Sequence, residues 1–168
     1  MMKTVVTEFL KQAALHPKAV AVLDRRGAVT YKRMNVLSAY LARLILDRLG
    51  GPGRRGRIAL LLPRSKDFVI AQFAVLRAGC AIVPVDAEYP AERVQLILED
   101  VGCALCVTTE ALAEKAAGYP LLKVGEEILP ESGAEPEDVK ARTFGARASK
   151  YSNVFSGPQS SASIFRKM

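Results

Sequence analysis

The sequence predicts an α/β fold in which a parallel β-sheet carries helices on both faces. Three short segments are apolar along their whole length, which is typical of strands buried on both sides of a sheet: residues 57–63, 80–85 and 103–109. Helical patterns separate these segments, and strands that alternate with helices indicate a parallel sheet. Right-handed crossovers are then expected between neighbouring strands.

The first third of the chain is predicted to form a helix, a hairpin and a second helix. Thr4 is a candidate N-cap, because apolar residues recur behind it at helical spacing. Residues 19–30 contain two β-type runs joined at Arg25-Arg26-Gly27. An amphipathic helix over about 31–49 follows, and Gly50 and Gly51 end it.

The next part repeats a strand–helix unit, and Ser65 is a candidate cap for its first helix. The predicted elements are a strand at 57–63, a helix to about residue 78, a strand at 80–85, a helix at about 91–101, a strand at 103–109, a short helix at 110–117 and a strand at 121–124.

The charge pattern divides the chain further. The net charge is +7, yet residues 139–168 hold six Lys and Arg and no Asp or Glu, so residues 1–138 carry 18 basic against 17 acidic side chains. We therefore expect a partial domain over 1–124, an acidic, proline-bearing linker over 125–138, and a basic, Ser-rich, irregular tail over 139–168. A near-neutral body does not favour a nucleic-acid partner, so such a role is open to the basic tail alone.

Membrane insertion and secretion are not expected. The uncharged stretches are much shorter than the roughly 20 apolar residues that a membrane helix needs. Glu8 and Lys11 interrupt the amino end, where a signal peptide requires an apolar core. We expect a cytoplasmic protein.

Three cysteines agree with a reducing compartment and argue against a disulfide framework. Cys103 and Cys106 have the C-x-x-C spacing of zinc and redox motifs. They lie in a predicted buried strand, where residues three apart point to opposite faces, and the only histidine is the distant His16. We expect two small core residues.

Two further segments invite a chemical interpretation. The glycine-rich segment 50–57 runs from a helix into a strand, whereas phosphate loops run from a strand into a helix, so a surface turn is favoured. Asp86 and Glu88 follow a predicted strand at the carboxyl edge of the sheet, where they could form an acid–base pair. With no histidine or nucleophile nearby, turn and helix-entry roles are favoured for them, as for Glu92 at the helix dipole. The tyrosines Tyr31, Tyr40 and Tyr89 are expected to pack rather than to catalyse.

Two segments resemble the conserved core motifs of adenylate-forming enzymes. Residues 29–45, VTYKRMNVLSAYLARLI, resemble the first motif, with Val29 in place of Leu and Arg33-Met34 in place of Glu-Leu. Residues 75–109 resemble the second motif, L-K-A-G-x-A-Y-V-P-l-D-p-x-Y-P, although Ile82 replaces Tyr and Ala87 replaces Pro. The positions in register are Leu76, Ala78, Gly79, Val83, Pro84, Asp86, Tyr89, Pro90, Glu92 and Arg93. The form of the second motif is most similar to adenylation domains of nonribosomal peptide synthetases.

The resemblance, which covers about 4–124, implies the amino-terminal subdomain of a ligase that uses ATP and Mg²⁺. Such enzymes convert a carboxylic or amino acid into an acyl-adenylate and pass it to a phosphopantetheine carrier or to CoA. Their catalytic groups lie beyond the matched segment, so no catalytic, cofactor-binding or metal-binding residue is assigned here. The fragment is expected to bind ATP and Mg²⁺ poorly and to be catalytically incomplete.

An alternative is a non-catalytic interaction module, or truncated isoform, in which a protein partner covers the exposed subdomain face. After Asp138 the sequence departs from the family's phosphate-loop pattern. We hypothesise that this departure results from a frameshift, altered splicing or a truncated gene model.

Overall fold

The computed structural model describes residues Thr4–Gly125. From residue 126 onward, the predicted linker and tail lie outside the described residues. The elements are α1 (Val5–Leu15), β1 (Val20–Asp24), β2 (Gly27–Thr30), α2 (Tyr31–Arg48), β3 (Arg57–Leu61), α3 (Lys66–Arg77), β4 (Ala81–Val85), α4 (Ala91–Asp100), β5 (Leu105–Thr108), a 3₁₀-helix (Glu110–Ala116) and β6 (Leu121–Lys123).

The predicted fold class is confirmed. Four strands form a sheet in the order β4-β3-β5-β6, and every neighbouring pair is parallel. In the register of this sheet, Leu61 of β3 lies between Val85 of β4 and Thr108 of β5. The predicted hairpin is a separate antiparallel pair formed by β1 and β2.

Both faces of the sheet are covered, because alternate strand residues pack into two different clusters. On one face, strand residues pack with side chains from α1, α2 and α3; this cluster includes Ile58, Leu60, Leu105, Val107, Phe9, Leu41, Ile45, Ile70 and Val75. On the other face they pack with α4 and the 3₁₀-helix; this cluster includes Ala59, Leu61, Val85, Cys106, Val94, Leu98 and Ala116. No helix within residues 4–125 is long and apolar enough to cross a membrane.

The start of each of the first two helices agrees with the sequence. Thr4 caps α1 in a reciprocal capping box, in which the Thr7 amide donates to Thr4 Oγ1 and the Thr4 amide donates to Thr7 Oγ1. The packing role predicted for Tyr31 at the start of α2 is also confirmed, since its ring centroid lies 6.0 Å from that of Phe9.

The cap predicted for α3 is wrong. Ser65 occupies the N-cap position, but its hydroxyl donates to the Pro63 carbonyl (3.2 Å) and caps no helical amide. The carboxylate of Asp24, at the end of β1, serves instead: Oδ2 accepts from the Lys66 amide at 2.9 Å. An acceptor from a distant strand satisfies an amide of the first turn, and its negative charge suits the positive end of the helix dipole.

Asp24 also organises the hairpin turn and the surrounding charges. Its Oδ1 accepts from the Arg26 amide (2.8 Å), while Arg26 pairs with Asp67 in the first turn of α3. The Lys66 ammonium donates to the Arg26 carbonyl at 3.3 Å. The pKa of the Asp24 carboxyl is lowered, most of all by the hydrogen bond from the Lys66 amide. The hydrogen bond from the Arg26 amide and the positive charges of Lys66 and Arg26 lower it further. These contacts fix the hairpin to the amino end of α3.

We predict that Asp24→Ala lowers the melting temperature (Tm) at neutral pH, because it leaves the Lys66 and Arg26 amides without their acceptor. The folded-state pKa of Asp24 lies below its unfolded value of about 4, so its stabilisation is complete above that value and is lost as the pH falls through the folded pKa. The Tm difference from the wild type should therefore shrink in acid. Asp47→Ala is the control, since the Asp47 side chain is 50% exposed and, among the described residues, pairs only with Arg43 on the same helix. Equal Tm losses in the two variants would contradict the role of Asp24.

Candidate functional site

The carboxyl edge of the sheet is the candidate site, because open parallel sheets bind ligands beyond the carboxyl ends of their strands. Segment 86–90 follows β4 there and leads into α4, and Thr109 follows β5. The structure shows how the polar groups of this edge are engaged.

Asp86 is a turn residue. Its Oδ1 accepts from the Glu88 amide at 3.0 Å, and its carbonyl accepts from the Tyr89 amide at 3.2 Å, so the loop closes in an Asx-type turn. Both Asp86 and Glu88 are exposed to solvent. The turn role predicted for Asp86 is confirmed. Glu92 is exposed in the first turn of α4, as its helix-entry role requires.

Lys115, on the 3₁₀-helix, binds this loop through its ammonium group. The sequence analysis did not predict this contact. Its Nζ donates to the carbonyl of Ala87 (2.7 Å) and to the carbonyl of Tyr89 (2.8 Å). The 3₁₀-helix is in turn bound to α4, because Gln95 Nε2 donates to the carbonyls of Lys115 (2.9 Å) and Ala117 (3.1 Å). The lysine and its acceptors are separated by 26 and 28 residues, and no local motif links them.

An ion pair and a buried hydroxyl lie near the ends of β5 and β6. The Lys123 ammonium pairs with Glu110 at 2.9 Å, and both side chains are well exposed. Thr108 is fully buried, and within the part of the chain that the structure describes its Oγ1 has no hydrogen-bond partner. A buried hydroxyl without a partner costs stability, so this position is an unusual feature of the edge.

The cysteine pair lies in the core, but not in the way the spacing predicted. Cys103 precedes β5 instead of belonging to it, and it packs against the same cluster as Cys106. The expectation that the two thiols face opposite sides of a strand is therefore wrong: the strand begins two residues later, so its alternation does not extend to Cys103. Burial raises the pKa of both thiols, that of Cys106 to about 12, and keeps them protonated at neutral pH. Within residues 4–125, no three His, Cys, Asp or Glu side chains are grouped to hold a metal.

The glycine-rich segment lies away from the candidate site. It joins the end of α2 to the start of β3, at the amino edge of the sheet, as the surface-turn prediction required. Gly56 is required there by close packing, because a Cβ on it would lie 2.8 Å from the Cβ of Ala104. Because the glycine-rich segment leads into a strand, it does not present the N-terminus of a helix to an anion, as a phosphate loop does.

Comparison with known proteins identifies relatives of this sequence. Residues 9–159 match the family model described as AMP-binding enzyme. Two relatives are a dimodular nonribosomal peptide synthase from Bacillus subtilis (strain 168), 38% identical over 138 residues, and gramicidin S synthase 2 from Brevibacillus brevis, 33% identical over 133 residues. Each alignment covers 78% of this chain, but they cover only 6% and 3% of those relatives. The chain thus spans a small part of the curated relatives it matches.

Solved structures agree with the fold. The nonribosomal peptide synthetase FmoA3, in its α-methyl-L-serine-AMP bound form, superimposes with a TM-score of 0.64 at 26% identity; the match covers 71% of this chain and 14% of FmoA3. VinN superimposes with a TM-score of 0.68, covering 86% of this chain and 38% of VinN. At 20% identity, the second match shows a shared fold only.

We predict that Thr108→Val raises the free energy of unfolding by about 1 kcal/mol, because valine keeps the shape of the side chain and removes an unpaired buried hydroxyl. Chemical denaturation measures the change. Thr109→Val is the matched control: Thr109 is half-buried, its hydroxyl caps no helical amide, and its substitution should change stability by less than about 0.5 kcal/mol. A loss of stability in Thr108→Val would mean that the hydroxyl binds a partner, such as a water molecule.

A second prediction concerns Asp86. Asp86→Ala should lower the free energy of unfolding by about 1 kcal/mol, because the Glu88 amide loses its acceptor. Asp86→Asn should be nearly neutral, since an asparagine oxygen closes the same turn. If the two variants destabilise equally in thermal unfolding, the carboxylate charge, and not the turn, is what stabilises the loop.

Proposed function

Because this chain belongs to the AMP-binding enzyme family, we propose that it is part of a ligase that uses ATP to activate a carboxylate. The proposed reaction is the attack of a substrate carboxylate on the α-phosphate of ATP, which forms an acyl- or aminoacyl-adenylate and releases pyrophosphate. Transfer of the acyl group to a pantetheine thiol, on a carrier protein or on CoA, completes the proposed sequence. The peptide synthase among the relatives favours an amino acid as the substrate.

The observation that carries this proposal is the family match over residues 9–159, which includes every described element from β1 to β6. Within it, the segment that resembles the second core motif folds as one continuous unit. Val83 and Pro84 lie in β4, Asp86–Pro90 form the closed loop at the carboxyl edge, and Glu92 and Arg93 lie in the first turn of α4. The centre of the motif thus coincides with the turn from the sheet into its covering helix.

Three polar groups of this edge that could meet Mg²⁺ or the ATP phosphates already bind other parts of the chain. The Asp86 carboxylate accepts from a loop amide, Lys115 donates to loop carbonyls, and Glu110 pairs with Lys123. Phosphate transfer needs cations and amide donors aimed at the phosphates, with carboxylates free for the metal. We therefore propose that this segment supplies a scaffold and is catalytically incomplete as it stands.

A second candidate is a role in docking to a protein partner, and one observation favours it. The hairpin strand β1 exposes two large apolar side chains, Val20 at 57% and Leu23 at 73%. Their partners in β2, Thr30 and Ala28, are two residues apart, so the two side chains share one face of the hairpin. Exposed apolar side chains on one face are typical of interaction sites. The two roles are compatible, because a scaffold segment can also bind a partner.

Substrate-dependent exchange of pyrophosphate into ATP tests the proposal. The purified 168-residue chain should give background exchange with the proteinogenic amino acids and with aryl and aliphatic acids. A complete adenylation unit from the dimodular nonribosomal peptide synthase of Bacillus subtilis provides the positive control. Robust exchange by the 168-residue chain would contradict catalytic incompleteness, whereas background exchange agrees with the scaffold and docking roles.

A further inference from the structure

The loop between β4 and α4 is held by a side chain that no motif assigns. Lys115 Nζ lies 2.7 Å from the carbonyl oxygen of Ala87 and 2.8 Å from that of Tyr89. A lysine ammonium has three donors and no acceptor, so two of the three are used on this loop. The side chain is half-buried.

The contacts around Lys115 form a closed set. The loop leads into α4, and Gln95 on α4 donates from Nε2 to the carbonyls of Lys115 and Ala117. The backbone of the 3₁₀-helix is thereby fixed to α4, and the Lys115 side chain returns from that helix to the loop before α4. These hydrogen bonds therefore restrain the loop, α4 and the 3₁₀-helix relative to one another.

Within residues 4–125, Lys115 is the only side chain that donates to the carbonyls of this loop; the Asp86 and Pro90 carbonyls accept from backbone amides. The Asx-type turn engages the amides of Glu88 and Tyr89, and it leaves the carbonyls of Ala87 and Tyr89 to Lys115. The Tyr89 side chain is 41% exposed, so packing of its ring constrains the loop only in part. Hydrogen bonds from a charged donor are stronger than neutral ones, so Lys115 is the main restraint on this side.

We propose that Lys115 is a positioning residue, which holds segment 86–90 in one conformation at the carboxyl edge of the sheet. The meaning of this role for activity rests on the proposed function, because a ligand bound at this edge would meet a preformed loop. Loss of the ammonium frees the loop but leaves the sheet and both of its packed faces intact.

A tryptophan reporter tests this proposal without any activity measurement. The sequence contains no tryptophan, so Tyr89→Trp places a single fluorophore on the loop. In that background, Lys115→Met should lower the fluorescence anisotropy and increase acrylamide quenching by about twofold, because the neutral side chain keeps its length but cannot donate. Lys115→Arg should restore both signals, since a guanidinium can also donate to two carbonyls.

Lys123→Met is the matched control, because Lys123 pairs with Glu110 and not with the loop, and it lies on β6, at the opposite edge of the sheet from β4. It should leave both signals unchanged. Gln95→Leu gives a second, independent arm should Lys115→Met fail to fold: it should change both signals in the same direction, by less. Unchanged signals in Lys115→Met or, if that variant does not fold, in Gln95→Leu would overturn the proposal. So would equal changes in Lys123→Met. Since the readout needs no ATP, failure of the exchange assay leaves this test unaffected.

Discussion

The rest of the structure depends on the burial of two central strands on both faces. In β3 and β5 the side chains from Ile58 to Leu61 and from Leu105 to Thr108 are completely buried. A parallel sheet of this kind is stable only when helices cover both faces, since its strands have no polar side. The crossovers follow from that requirement: α3 returns along one face and α4 along the other, while the chain moves outward from β3 to β4 and then back to β5. Close approach at the amino edge, where Gly56 meets Ala104, is a consequence of the same packing.

Within residues 4–125, several charged side chains connect these elements by binding backbone groups at their ends. Asp24 accepts from the first amide of α3, and Lys115 donates to the carbonyls after β4. Similarly, Arg57 Nη1 donates to the carbonyl of Val101 at the end of α4 (2.8 Å), and Arg48 Nη1 donates to that of Leu121 in β6 (2.6 Å). The termini of helices leave backbone groups without partners, and strand edges do the same. A charged side chain supplies a stronger bond than a neutral one, which suits these exposed positions.

The sequence was sufficient to predict the elements but not the contacts between them. The strands and helices were predictable because an apolar run or a helical period is local, as in α2, where Gly50 and Gly51 follow the helix end. The Asp24 cap was not predictable, since the acceptor lies 42 residues before its donor and Ser65 occupied the expected position. The Cys103 error arose because a shift of two residues in the start of β5 removes the alternation on which the argument depended. The contact between Lys115 and the loop corresponds to no pattern in the sequence, because only folding brings this residue to the loop.

The arrangement of the carboxyl edge limits what this segment contributes to chemistry. The Asp86 carboxylate closes its turn through Oδ1, so it can act as a base without opening that turn only through Oδ2. Lys115 likewise uses two of its three donors on the loop carbonyls, so it can offer an anion only the third without releasing them. A rigid edge built from engaged polar groups is well suited to present a fixed surface, because preorganised surroundings increase the electrostatic effect of groups placed against them. On the proposed function, the reacting groups then come from other parts of the ligase and this sheet fixes where they meet.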